Sequence, residues 1–167
     1  MRGAPISDRV MPPSGSLSRS RASTPSLAST RSIILPDRVR VFAEWRRVLK
    51  PGGLLLFTDP IVLTGPITNK EIAVRASIGL FVFVSAGLDE ALLDKAGFEV
   101  ERMADRTHNM AENAAGWRAA RSKRESDLRS IEGDETFEGQ QRFLETTAIL
   151  AKQRRFSRIA ILARKRC

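Results

Sequence analysis

The chain has 167 residues, 42% hydrophobic and 28% charged, the balance of a globular protein with room for one buried core. Lys and Arg outnumber Asp and Glu by 28 to 19, a net charge of +9, but no nucleic-acid recognition motif accompanies the excess, so no specific nucleic-acid partner is expected. The one cysteine is Cys167, which excludes an intrachain disulfide framework and fits a cytoplasmic, reducing setting; no apolar run reaches the ~20 residues that span a bilayer, so no membrane partner is expected either.

Residues 1–32 are Ser, Arg, Pro and Ala with almost nothing large to bury. Such a segment cannot offset its ordering entropy, and composition assigns it to a disordered tail. Order is expected from Ile33 onward, giving an ordered domain over 33–167. The run Ile33 to Leu35 reads as a short strand ended by Pro36. Asp37 then caps a helix in which Val41, Phe42, Trp45, Val48 and Leu49 recur at helical spacing, with Arg38 and its charged neighbours mostly on the other side. Pro51-Gly52-Gly53 stops that helix.

Leu54 to Asp59 follows as a strand. Its four consecutive apolar residues, LLLF, predict cover on both faces, as in a parallel sheet, and Pro60 is expected to block extension. After the turn at Thr64-Gly65-Pro66, Asn69 to Gly79 suits a helix. Leu88 to Lys95 reads as a helix closed by Gly97, with Leu88, Leu92 and Ala96 on one side. Phe98 to Met103 alternates as a strand. Met110 to Gln153 predicts two helices broken at Gly133, with Ala114, Trp117, Phe137, Leu144, Ala148 and Ala151 turned inward. Arg158 to Ala163 closes the chain as a strand.

The segment RVFAEWRRVLKPGGLLLFTDP, followed later by LLDKAGFEVERMADRT, resembles the second half of a class I S-adenosylmethionine-dependent methyltransferase. The resemblance implies an α/β, Rossmann-like sheet, of which this chain holds the strands matching the fourth to the seventh. The last strand should run antiparallel between the fifth and sixth. It further implies S-adenosyl-L-methionine as cofactor and a small-molecule substrate, with residues 61–85 and 108–154 as substrate-covering insertions.

One part of the family pattern is missing. The family cradles its cofactor on a glycine-rich turn after the first strand, where backbone must approach the ligand closely, and on an acid ending the second strand. No such turn precedes Arg38, and Ser14-Gly15-Ser16 has no strand ahead of it. The composition change near Ile33 suggests a misread gene start. The expectation is therefore a truncated, impaired methyltransferase. The alternative is a non-catalytic remnant that pairs with another chain, or with its own copies, through an exposed sheet edge.

Within that frame Asp59, at a strand's carboxyl end, is a candidate to orient a substrate amine or hydroxyl, or else a turn former before Pro60. His108 is a candidate general base, or a polar surface residue. Thr64, Phe81 and Phe83 are candidates for the substrate pocket, although rings at i and i+2 are more often simply core. Asp37 stands where family members pass near the cofactor, and reads first as a helix cap. No metal ligand set is present in the sequence pattern.

Overall fold

The computed structural model describes residues 27–31, 37–79 and 81–167. The elements are β1 (Leu27–Arg31), α1 (Arg38–Val48), β2 (Leu54–Leu63), α2 (Asn69–Ala76), β3 (Val84–Ser85), α3 (Leu88–Lys95), β4 (Phe98–Asp105), α4 (Thr107–Ser122), α5 (Glu125–Glu132), α6 (Asp134–Lys152) and β5 (Phe156–Lys165). The sheet order is β1-β2-β5-β4, and the two-residue β3 adds to β2 near its end. β1 pairs parallel with β2, from Leu27 opposite Leu54 to Arg31 opposite Thr58. β5 lies antiparallel to both β2 and β4, between them, as the resemblance implies.

The first strand is not where the pattern put it. Leu27–Arg31 pairs with β2 although it falls inside the segment assigned to a disordered tail. The predicted strand Ile33 to Leu35 and Ser14-Gly15-Ser16 lie outside the described residues. The sequence LASTR has no period-two apolar pattern, and its partner β2 supplies the pairing that its own composition does not announce.

β2 also runs on through Pro60 to Leu63. Pairing with β5 shifts register between Asp59 and Val62. The irregularity takes Pro60 out of the hydrogen-bond ladder, and so the strand tolerates a residue with no N–H.

The core on one face of the sheet joins Phe42 and Leu49 of α1, Leu55 and Phe57 of β2, Leu93 of α3, Phe98 of β4, and Ile161 and Ala163 of β5. The other face of β2 is thinner: Leu56 is 38% exposed among the described residues, against the two-sided cover that LLLF predicts. Val48, Leu88 and Trp117 are exposed rather than inward. On α3 the fully buried residue is Leu93, and Leu92 and Ala96 pack only partly.

The two predicted helices between β4 and β5 are three. Gly133, at φ 82, separates α5 from α6 where the break was expected, and a further stop at Lys123 separates α4 from α5. Ala114 of α4 meets Leu144 and Ala148 of α6, so small side chains let the two long helices approach closely. Met110 and Ala111 of α4, with Leu150 and Ala151 of α6, tie this helical layer to Ile61 and Phe156 of the sheet. Arg129 fastens α5 to α6 through Asp134 and Glu138, over the ring of Phe137, and also pairs with Glu125 of its own helix. Among the described residues no helix is long and apolar enough to cross a membrane.

Candidate active site

Arg38 opens α1, Asp59 lies where β2 changes register, and Asp89 sits in the first turn of α3. The fold gathers all three beneath the carboxyl end of β2. One nitrogen, Arg38 Nη1, stands 2.8 Å from Asp59 Oδ2 and 2.8 Å from Asp89 Oδ1. The contact with Asp89 is an aligned hydrogen bond; that with Asp59 is an ion pair without hydrogen-bond alignment. Asp59 Oδ1 accepts a hydrogen bond from Ile61 N–H at 3.0 Å, which bends the chain past Pro60. All three side chains are buried.

Two carboxylates and one guanidinium leave a surplus negative charge in a dry place. Asp89 absorbs the conflict. Burial pushes its carboxyl up to about 7, the adjoining Asp59 carboxyl adds to the rise, and Arg38 opposes it. A carboxyl that changes protonation near neutrality can take or give a proton there. Asp89 also lines a small pocket of about 90 Å³ with Thr64, Val84, Ser85, Met103 and Ile159. Its Oδ2 has no hydrogen-bond partner among the described residues.

The sequence-derived candidates divide. Asp59 is at the site but fully buried and held by Arg38, so it positions Arg38 and Asp89 and does not reach the pocket surface. Thr64 is at the pocket: its Oγ donates to Arg154 O at 2.9 Å and lies 2.8 Å from Ser157 Oγ. Asp37 caps α1, accepting from Arg40 N–H at 2.9 Å. His108 is exposed on α4, with Nε2 3.2 Å from Glu112 Oε1, away from the pocket residues.

Phe81 and Phe83 stack at 6.5 Å between centroids and pack against the core of Ile61, Met110, Leu150 and Phe156. Asp89 escaped sequence reasoning, and Arg38 was noted only beside Asp37 as passing near a cofactor, because each reads as one charge among several at a helix start. A faint signal existed: both stand in a first helical turn flanking the same apolar strand.

No protein-family model matches the sequence, and no curated protein does. Solved structures do match. A structure assigned as a sarcosine dimethylglycine methyltransferase from Galdieria sulphuraria superposes with a TM-score of 0.74 at 25% identity, over 84% of this chain and 52% of its own. A Haemonchus contortus phosphoethanolamine N-methyltransferase, bound to phosphomonomethylethanolamine and S-adenosylhomocysteine, gives 0.73 at 17% identity over 85% of this chain and 34% of its own. A cyclopropane synthase from Mycobacterium tuberculosis gives 0.70 at 19% identity, over 77% and 50%.

The chain has the class I methyltransferase fold. It spans about half the length of two of these neighbours and a third of the other. Among the described residues no two glycines stand at the G-x-G spacing of that fold's cofactor turn. The acids that end strands here are engaged: Asp59 by Arg38, and Asp105 by Thr107 N–H and Arg154. A Cβ added at Gly87, the glycine between β3 and α3, would meet nothing within 4 Å.

Proposed function

We propose that this chain forms the acceptor-side half of a small-molecule, S-adenosylmethionine-dependent methyltransferase, and that by itself it is impaired in cofactor binding. The observation that carries the reading is Asp89, a buried carboxyl poised near neutrality at the wall of a pocket, within a methyltransferase half-fold. An amine or hydroxyl acceptor must shed a proton as it gains a methyl group. In this reading Asp89 Oδ2, buried and without a hydrogen-bond partner among the described residues, receives it, while Arg38 holds Oδ1.

The remaining residues do positional work. Asp59 keeps Arg38 in place, and the packed layer α4–α6 excludes water from the carboxyl end of β2. No transfer step is assigned to the described residues, since they lack a fit for the cofactor.

The test is a transfer assay with methyl-labelled S-adenosylmethionine and a panel of small amines, alcohols, carboxylates and phosphate esters. The reading expects labelled product only when a chain bearing the cofactor cradle is supplied with this one. Label incorporated by this chain alone would refute the impairment. Label passed only to a macromolecule would refute the substrate class.

A further inference from the structure

Arg75 projects from α2 into the junction between the sheet and the helical layer, and it is 97% buried by its 3% residual exposure. Its guanidinium carbon lies 4.2 Å from the ring centroid of Phe143, 4.7 Å from that of Phe156 and 5.5 Å from that of Phe81. Nη1 donates to Thr147 Oγ at 2.5 Å, and Thr147 Oγ in turn donates to Phe143 O at 2.7 Å. Among the described residues no carboxylate pairs with Arg75, and its Nε–H has no acceptor.

A guanidinium carries five N–H donors. Here one has an acceptor, and three aromatic faces stand in place of a counter-ion. Aromatic faces attract a cation but accept few hydrogen bonds, so they stabilise the charge without using up the donor fork. Burial and repulsion from Arg158 both act against the cation, and its affinity for the proton falls to about 10, still leaving it charged at neutral pH. Among the described residues the other buried cation, Arg38, is met by two aspartates. The contrast marks Arg75 as a buried charge whose anion is not supplied by the described protein.

Two of the three rings, Phe81 and Phe143, are only half-buried; Phe143 is carried by α6 and Phe81 by the stretch between α2 and β3. Phe156 and Ser157 are consecutive in β5 and leave opposite faces of the sheet: Phe156 packs on the helical layer with Arg75, and the Ser157 hydroxyl meets Thr64 on the side of the Asp89 pocket.

We infer that Arg75, framed by Phe81, Phe143 and Phe156, is the receptor for a planar or tetrahedral oxyanion, a carboxylate or phosphate carried by the small-molecule acceptor. This deepens the proposed function and rests on it for the word acceptor; the anion site itself stands or falls separately.

The experiment titrates the full chain with acetate and, in a second arm, with inorganic phosphate, at constant ionic strength against chloride. The readout is the Arg75 Nε–Hε resonance, assigned by its loss in the Arg75→Lys protein, with thermal unfolding in parallel. The inference expects a saturable shift with at least one oxyanion, a matching rise in Tm, and an affinity at least about tenfold weaker in Arg75→Lys, the loss of one charge-assisted hydrogen bond or more. Acetate alone would indicate a carboxylate acceptor, and phosphate alone a phosphate ester. An unsaturable or absent shift with both would overturn the site, as would undiminished affinity in Arg75→Lys. The wild-type titration decides even where the variant fails to fold. Failure of the methyltransferase reading shows instead in the transfer assay, which involves neither probe.

Discussion

Arg38 Nη1 stands 2.8 Å from Asp89 Oδ1, joining the first residue of α1 to the first turn of α3 across 51 residues of chain. The same nitrogen meets Asp59 at 2.8 Å. One buried cation therefore carries two acids, and the protonation of Asp89 decides whether the cluster is balanced.

That balance sets a pH dependence. Asp89 titrates at about 7 in the fold against an ordinary value of 3.8. Between these values the folded chain keeps a proton that the unfolded chain has released, so stability falls as pH rises through the window and levels off above about 7. Replacement Asp89→Asn removes this slope. Urea unfolding at a series of pH values should show wild type losing stability from about pH 4 to about pH 7 relative to Asp89→Asn; parallel profiles would contradict the cluster's protonation.

Removing the shared cation should be far more damaging than removing either surface partner of an exposed pair. Arg38→Met leaves Asp59 and Asp89 buried and uncompensated, with an expected cost of about 3–5 kcal/mol. Arg47→Met breaks an exposed pair with Glu44 and should change stability by less than about 1 kcal/mol. Equilibrium denaturation of both variants measures the contrast.

The entry to α2 is a capping box. Thr68 Oγ accepts from Glu71 N–H at 3.2 Å, and Glu71 Oε2 accepts from Thr68 N–H at 2.8 Å. Arg155 also grips Glu71, at 2.7 and 2.9 Å. Thr68 first, then Arg155, hold the Glu71 carboxyl down to about 2. Its contribution is complete above the ordinary value of 4.5 and is lost as pH falls through about 2. Thr68→Ala should cost about 1 kcal/mol near neutrality, and Glu71→Gln should flatten the acid limb of the unfolding profile.

Gly97 ends α3 at φ +82, and a Cβ there would lie 2.5 Å from Arg46 Nε. Gly97→Ala therefore meets both an unfavourable backbone region and a side chain that must move. We expect a loss of about 1 kcal/mol or more, read as a lowered Tm. At Gly52, φ +71 with nothing within 4 Å, the alanine variant should lose only the backbone term.

Much of the sheet was legible because its signals are local. Pro51-Gly52-Gly53, the run LLLF, the AGF turn and the terminal RIAILA each announce an element through punctuation or period, and β2, α3, β4 and β5 stand where they point. What was not legible depends on distant partners. β1 owes its pairing to β2, Pro60 stays in its strand because β5 shifts register, and the burial of Arg38 depends on an aspartate 51 residues away. Asp59 was legible as an important acid. Its role was not, since only the assembled fold shows that one Arg38 nitrogen serves both Asp59 and Asp89 and that Asp89 is the one of the two that lines the pocket. Arg75 was illegible for the same reason: its rings come from three separate segments.

The central claim is that this half-fold holds an acceptor side and lacks a cofactor grip of its own. Calorimetric titration of the purified chain with S-adenosylhomocysteine tests it most directly. The account predicts no saturable heat at micromolar ligand. Micromolar binding with one site per chain would contradict it.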